Sequence, residues 1–169
     1  SPGGTVSATA ELEQIIYEFK KNTDTKIYFY TKEILASGGY WVATTADKIF
    51  ASYGSIIGSI GVAGPSWFYY NSPISLSSGL FGSSIETKNA IEVFNQNAGQ
   101  GKDLFNPYRR PETNEIKHLQ NIVDEIYNDF LIKVSKSRKI EISNLKNNIG
   151  ALIYSSNQAK SNFLVDDIL

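Results

Sequence analysis

A serine followed by two glycines, Ser37-Gly38-Gly39, stands between a probable strand end and a stretch able to form a helix, Tyr40 to Ala46. A serine so placed can project its hydroxyl into a cleft, while the glycines let backbone N–H groups approach a substrate closely. The start of the following helix favours developing negative charge. Together these features suit a nucleophile that attacks a carbonyl group. The same segment, Leu35 to Val62, closes on a second glycine-framed serine, Gly58-Ser59-Ile60-Gly61-Val62.

A serine nucleophile needs a base, and the inventory of bases is short. The single histidine, His118, falls inside a long helical pattern beside Leu119 and two residues after Ile116, which gives it a flank or surface position. A Ser-His-Asp triad therefore does not follow from the sequence. The absence of cysteine removes thiolate nucleophiles and cysteine metal sites, and one histidine offers little to a metal, so no cofactor and no metal are expected. Lysine remains, because a desolvated amine can accept a proton near neutral pH and Ser-Lys pairs are a known variant of the triad. Two lysines lie in the glycine-containing region after the serine. Lys102 sits among small residues in Ala98-Gly99-Gln100-Gly101-Lys102-Asp103, and Lys88 sits in the polar run Glu86-Thr87-Lys88-Asn89.

The elements that would position these residues alternate between strand and helix. Ser1-Pro2-Gly3-Gly4 is a turn whose glycines can bring backbone against a ligand. Val6 to Lys21 has apolar residues at 8, 12, 15, 16 and 19, the spacing of a packing helix. Lys26 to Thr31 reads as a buried strand, Lys48 to Ser52 as a second, and a third short one is expected near 60–63. Gly64 to Gly82 is rich in Ser, Gly, Pro and aromatics and reads as a long loop; Ile85 to Phe94 is ambiguous between strand and helix, and Asn95 to Pro107 is loop-like. Glu112 to Lys139 is the longest helical pattern, with Ile116, Leu119, Ile122, Val123, Ile126, Phe130 and Val134 on one face. A short helix over 141–148, a turn and strand over 150–154 and a last helix from Ser155 to Phe163, capped by Ser155, complete the chain. This order predicts an α/β domain with parallel strands and flanking helices. At 169 residues the chain fits one domain, 1–169, and its net charge of −1 with dispersed basic residues gives no footprint for nucleic acid. No apolar run is long enough to span a bilayer, and no signal peptide is visible. Because it starts without Met and in mid-motif, the chain is expected to be a fragment whose upstream strands and any membrane anchor lie outside it.

The residues resemble the signal peptide peptidase A family of Ser-Lys serine proteases, whose fold is of the Clp protease and crotonase type. The resemblance is carried by Ala36-Ser37-Gly38-Gly39-Tyr40, Ala46-Asp47-Lys48-Ile49 and Gly58-Ser59-Ile60-Gly61-Val62. Ser1-Pro2-Gly3-Gly4 upstream adds to it, as do Gly99-Gln100-Gly101-Lys102-Asp103, Pro107-Tyr108-Arg109, Gln158-Ala159-Lys160 and Leu164-Val165-Asp166 downstream. It covers nearly the whole chain.

The resemblance implies that Ser37 attacks the scissile carbonyl, Lys102 takes its proton and Ser59 orients the lysine amine. It implies an oxyanion hole from the backbone N–H groups of Gly38 and Gly3. It also implies a homo-oligomer in which the lysine can come from a neighbouring protomer, and an extracytoplasmic, membrane-associated setting reached through a segment absent from this chain. Three departures stand out: Tyr53 and Ser55 occupy positions where the family usually has Pro and Thr, Ala98 replaces a serine, and Lys102 lies farther from Ser37 than in the family. By the shorter family spacing Lys88 fits better, while the neighbours of Lys102 match and those of Lys88 do not; the surplus falls in the 64–82 segment, read as an insertion.

The expected activity is endopeptidase cleavage of signal-peptide remnants or unfolded peptides held in extended form by strand addition beside Ser37. Gly4, Tyr40 and Trp67 are candidate substrate contacts, with Phe68, Tyr69 and Tyr70 extending an apolar subsite around Trp67. Two other classes share the fold: a non-catalytic peptide-binding module, and a crotonase-type lyase acting on acyl thioesters. The lyase has no use for a serine nucleophile with a companion lysine.

Overall fold

The structure, a computed structural model, describes residues 1–71, 75–79, 82–86, 96–99 and 101–169. The chain divides into two compact units, one formed by Ser1–Val62 with Asp124–Leu169 and the other by Ala63–Val123.

In the first unit, α1 (Val6–Asn22) follows the N-terminal turn, and Thr5 caps it by accepting the Ala8 N–H on its side chain. Three strands, β1 (Tyr28–Thr31), β3 (Lys48–Ala51) and β8 (Asp167–Ile168), form a parallel sheet in the order β1-β3-β8. A second sheet has the order β2-β4-β7, with β2 (Ile34–Ala36) parallel to β4 (Ile56–Gly58) and β7 (Ile153–Ser155) antiparallel to it. The strand expected near 60–63 is thus found earlier, at 56–58. Gly58 at φ 130 and Ser59 at φ 51 turn the backbone out of the extended conformation before residue 60 is reached.

Between the sheets' strands runs α2 (Gly38–Ala43), whose Tyr40, Trp41, Val42 and Ala43 are all buried. They meet Ile49, Ile57 and Ile60 and the C-terminal half of α3 (Thr113–Arg138), which contributes Phe130, Leu131 and Val134 to the same core. Burying each of these large side chains stabilises the fold by about 1.5–3 kcal/mol. The apolar stripe of α3 is buried only there; Ile116 and Ile122, nearer its start, are 53% and 44% exposed.

The stripe of α1 turns the other way from expectation. Leu12, Ile15 and Phe19 are 51%, 55% and 46% exposed, while Thr9 and Glu13 are buried. The wall that α1 meets explains this. At its start it approaches the backbone of Gly38, where a Cβ would lie 2.5 Å from Thr9 Oγ1. Further along it faces an indole N–H and a backbone carbonyl: Glu13 accepts from Trp41 Nε1 at 3.0 Å, and Lys20 donates to the Thr45 carbonyl at 3.1 Å. Small and polar residues fit that wall better than Leu or Phe.

The C-terminal part contains α4 (Ile142–Asn144), a π-helical turn over Leu145–Ile149, and α5 (Ser156–Ser161). Ser155 caps α5 in a full capping box with Gln158. In the second unit, β5 (Ser75–Gly79) pairs antiparallel with β6 (Gly82–Glu86). A stretch expected to be one long loop up to Gly82 therefore contains a strand; serine and glycine are weak strand formers, and the hairpin pairing rather than local propensity sets it.

Candidate functional site

Ser37 lies just past the end of β2 with φ 51 and ψ −129, a backbone conformation that costs a non-glycine residue about 1–3 kcal/mol. Hydrogen bonds on both sides hold it there. Its N–H donates to the Gly58 carbonyl at 3.0 Å, and its own carbonyl accepts the Trp41 N–H at 3.0 Å. The residue before it, Ala36, donates its N–H to the Ser1 carbonyl at 3.0 Å, and the Ser1 amino group donates to the Ile34 carbonyl. Ser1 thus pairs with β2 in the manner of a parallel neighbour.

That pairing lays the Ser1–Gly4 turn across the serine. A Cβ on Gly3 would lie 2.9 Å from Ser37 Cβ, 3.1 Å from the Gly38 nitrogen and 3.2 Å from Ser37 Oγ, and Gly3 adopts φ 117. On Gly38 it would meet Thr9 Oγ1 at 2.5 Å and the Gly4 nitrogen at 3.2 Å; on Gly39 it would meet the Ser1 carbonyl oxygen at 2.8 Å. Each glycine of the Ser-Gly-Gly sequence is therefore needed for a separate close approach. As the first residue of α2, Gly38 has an N–H without an intrahelical acceptor. The Gly3 N–H donates to Ser1 Oγ at 3.3 Å. Gly4 is exposed beside this turn.

Ser59 occupies the matching place past the end of β4, and it too has a positive φ, 51. Ala36 and Gly58 are register partners in the parallel pair β2–β4, so Ser37 and Ser59 emerge side by side from adjacent strands. Neighbouring strands are about 4.8 Å apart. The glycines around Ser59 make room for the chain before β7: a Cβ on Gly58 would meet the Leu152 carbonyl oxygen at 2.5 Å, and one on Gly61 would meet Ala151 Cβ at 2.6 Å. The Ser59 N–H donates to that same Leu152 carbonyl at 2.8 Å.

The structure thus brings Ser37, Ser59, Gly3 and Gly38 together in the first unit. Tyr40, expected as a substrate contact, is instead part of the core. It is fully buried, its hydroxyl donates to the Leu164 carbonyl at 2.7 Å, and burial pushes its pKa well above the tyrosine range. No substrate reaches it there.

Lys102 belongs to the second unit, in a run of tight turns supported by Gly99 at φ 102 and Gly101 at φ 77. Its N–H donates to the Gly99 carbonyl at 3.3 Å, its side chain is exposed, and among the described residues its amine has no partner. The turn is pinned by Arg109, which bonds Asp103 Oδ2 through Nε at 2.6 Å and both oxygens of Glu115 at 2.6 and 2.8 Å. Arg109 holds the carboxyls of Asp103 and Glu115 below their usual range. Trp67 joins this block: its ring lies 5.2 Å from Phe105 and 5.2 Å from the Arg109 guanidinium, and its Nε1 donates to the Asn106 carbonyl at 3.1 Å. Tyr70 donates its N–H to the Pro107 carbonyl at 2.8 Å, and Phe68 is largely exposed. Trp67 therefore anchors the loop that carries Lys102. Lys88 lies outside the described residues. His118 is exposed on α3. Among the described residues no three His, Asp or Glu side chains are grouped to hold a metal ion.

Sequence reasoning missed the contribution of α1 to this site. Thr9 and Glu13, which press the helix against Gly38 and Trp41, stand out only as the polar stripe of an amphipathic helix.

A strand-end serine in strained backbone, framed by glycines at the carboxyl ends of parallel strands, is an arrangement that suits a serine hydrolase. The chain belongs to Peptidase family S49, whose profile matches residues 19–169. It is 34% identical over 168 residues to an Enterococcus faecium protein described as signal peptide peptidase SppA, covering 99% of this chain and 45% of that protein. It is 33% identical to a Methanocaldococcus jannaschii protein described as protease MJ0651, covering 99% of this chain and 49% of that protein. The chain thus spans about half the length of these relatives. Among solved structures it shares the fold of the 1510-N membrane-bound stomatin-specific protease in a serine-to-alanine variant, with TM-score 0.51 and 14% identity. That match covers 99% of this chain and 60% of the other. A lysine-to-alanine variant of the same protease in complex with a substrate peptide also matches, with TM-score 0.51, 16% identity and coverage of 99% of this chain and 57% of that one.

Proposed function

We propose that this chain forms the peptidase part of a serine endopeptidase with a Ser-Lys dyad, Ser37 the nucleophile and Lys102 the base. The observation that carries the reading is Ser37 itself: strained at φ 51, fixed by hydrogen bonds on both sides, and overlaid by the Gly3–Gly4 turn. Ser37 Oγ adds to the scissile carbonyl as Lys102 takes its proton. The tetrahedral oxyanion is held by the Gly38 N–H and by the Gly3 N–H, which gives up its bond to Ser1 Oγ. The lysine returns the proton to the leaving amine, the C–N bond breaks, and water then hydrolyses the acyl ester by the same steps in reverse. Ser59, beside Ser37, accepts a hydrogen bond from the lysine amine and aims it.

The substrate class is a peptide in extended form, such as a signal-peptide remnant or an unfolded segment, paired to the strand edges beside Ser37. Covering of the exposed Lys102 by bound peptide or by a neighbouring copy belongs to this reading, since desolvation favours the neutral amine a base requires. A homo-oligomer is the expected working form. No described helix is long and apolar enough to cross a membrane; a membrane-associated, extracytoplasmic setting belongs to this reading through the family alone.

The test is covalent labelling of the full-length, assembled protein by a fluorophosphonate, with Ser37→Ala beside it, followed by peptide hydrolysis. Labelling of wild type alone, with turnover, supports the reading and removes the lyase. Peptide binding without labelling or turnover would leave a non-catalytic binding module in its place.

A further inference from the structure

We propose that Glu13 is a positioning residue for Ser37, acting through Trp41; the proposal rests on Ser37 being the nucleophile. Glu13 faces inward from α1 and is 6% exposed. One carboxylate oxygen accepts from Trp41 Nε1 at 3.0 Å and the other from Lys133 Nζ at 2.7 Å. The Lys133 ammonium also lies 5.3 Å from the centre of the Trp41 ring. A single side chain on α1 thereby grips α2 and α3 at one point. Burying a carboxylate is costly unless it is paired and hydrogen-bonded, and here it is paired with Lys133 and each oxygen accepts a hydrogen bond.

The grip bears on the site through two routes. Trp41 is in the first turn of α2, and its backbone N–H donates to the Ser37 carbonyl at 3.0 Å, so the residue held by Glu13 also fixes the backbone of Ser37. The helix that carries Glu13 is continuous with the turn at Gly3 and Gly4, which covers Ser37 and Gly38. At that contact there is no slack, since Thr9 Oγ1 lies 2.5 Å from where a Gly38 Cβ would be. The spacing of α1 from α2 sets how closely Gly3 and Gly38 stand about the serine hydroxyl. A displacement of the order of 1 Å between such groups is enough to cost a large factor in rate. Its apolar stripe points away from the core, so α1 is held in this place by Thr9, Glu13 and Lys20 rather than by apolar burial.

The experiment uses the full-length, assembled protein and three variants. Glu13→Ala removes both contacts, Glu13→Gln keeps an acceptor for Trp41, and Trp41→Phe keeps the ring packing and removes the indole donor. The readouts are the rate of Ser37 labelling by a fluorophosphonate, kcat and KM on an extended peptide, and the folded fraction. Glu13→Ala and Trp41→Phe are expected to lower the labelling rate per folded protein and kcat about tenfold, with KM within about twofold. Glu13→Gln is expected to keep most of the labelling rate. Wild-type labelling by folded Glu13→Ala, or by Trp41→Phe should the former not fold, overturns the proposal. So does an equal loss in Glu13→Gln and Glu13→Ala. If wild type itself is not labelled, the Ser37 reading falls and this proposal with it, which is a different result from a labelled wild type with indifferent variants.

Discussion

Ser37 and Ser59 stand one step beyond the register partners Ala36 and Gly58, at the carboxyl ends of two adjacent parallel strands, and both adopt φ 51. The Ser37 N–H is bonded to the Gly58 carbonyl at 3.0 Å, so the peptide that leads into one serine supports the other. Two residues at the same rare φ thus leave adjacent strands side by side. A nucleophile and a group that orients its base need such a geometry, and the first prediction follows from it. Replacing Ser59 by Ala is expected to lower kcat on a peptide substrate by about 10–100-fold while Ser37 still reacts slowly with a fluorophosphonate. Replacing Ser37 by Ala should abolish both, a loss of about 10³-fold or more in kcat. Full activity in Ser59→Ala would exclude it from the site.

The lysine is the second test. Lys102→Ala and Lys88→Ala are to be compared with wild type in peptide hydrolysis by the assembled protein. Loss in Lys102→Ala alone is expected, and would make the 64–82 segment a tolerated insertion. Loss in Lys88→Ala alone would transfer the base to the polar run after Glu86 and undo the pairing of motifs around Gly99 and Gly101.

A third prediction concerns packing at the serine. Gly38→Ala places a methyl group 2.5 Å from Thr9 Oγ1, and overpacking of this kind costs about 1–3 kcal/mol. Thermal unfolding should fall accordingly, and the double variant with Thr9→Ala should recover part of the loss because the obstructing hydroxyl is gone. Recovery will be partial, as the Gly4 nitrogen still lies 3.2 Å from the added Cβ. An unchanged melting temperature in Gly38→Ala would mean that the N-terminal turn does not sit on Gly38 in solution.

The serine site was legible in the sequence because its demands are local. Each glycine of Ser37-Gly38-Gly39 and Gly58-Ser59-Ile60-Gly61 answers to one backbone that passes within a Cβ's reach, and such demands leave their mark at fixed spacing. The cap of α5 at Ser155 was legible for the same reason. What α1 buries was not, since periodicity finds an apolar stripe but not the wall it meets. Here that wall is glycine backbone and an indole N–H, and the polar stripe turned inward. The place of Tyr40, three residues after Ser37, was not legible either: α2 turns it into the core, where its hydroxyl donates to the Leu164 carbonyl. The strand at Asp167–Ile168 left no pattern; it is held by the Asp166 and Leu169 N–H groups on the carbonyls of Ile49 and Ala51.

Arg109 allows a fourth prediction within the second unit. Its fork spans Asp103, next to Lys102, and Glu115 in the first turn of α3. Lysine cannot make that bidentate bridge. In Arg109→Lys, hydrogen exchange of the backbone amides from 101 to 108 should quicken while those of β2 and β4 hold their protection. Equal protection in both proteins would show that the turn is stable without the fork.

The last prediction is a pH dependence set by Asp47. Its carboxylate accepts the Ile27 N–H at 2.9 Å and pairs with Lys20 at 3.1 Å and Lys26 at 3.4 Å. The Ile27 hydrogen bond, followed by that of Lys20, lowers its pKa from 3.8 to about 2. A carboxyl depressed in the folded state stabilises it wherever the unfolded chain would also be ionised, and that contribution disappears as pH falls through the folded value. Asp47 should therefore add its full share above pH 3.8 and lose it on the way down to about 2. Melting temperatures of wild type and Asp47→Asn, taken from neutral to strongly acid pH, should differ most at neutral pH. The gap should close across that acid window. A gap of the same size at both ends would assign the effect to geometry at residue 47 and not to its charge.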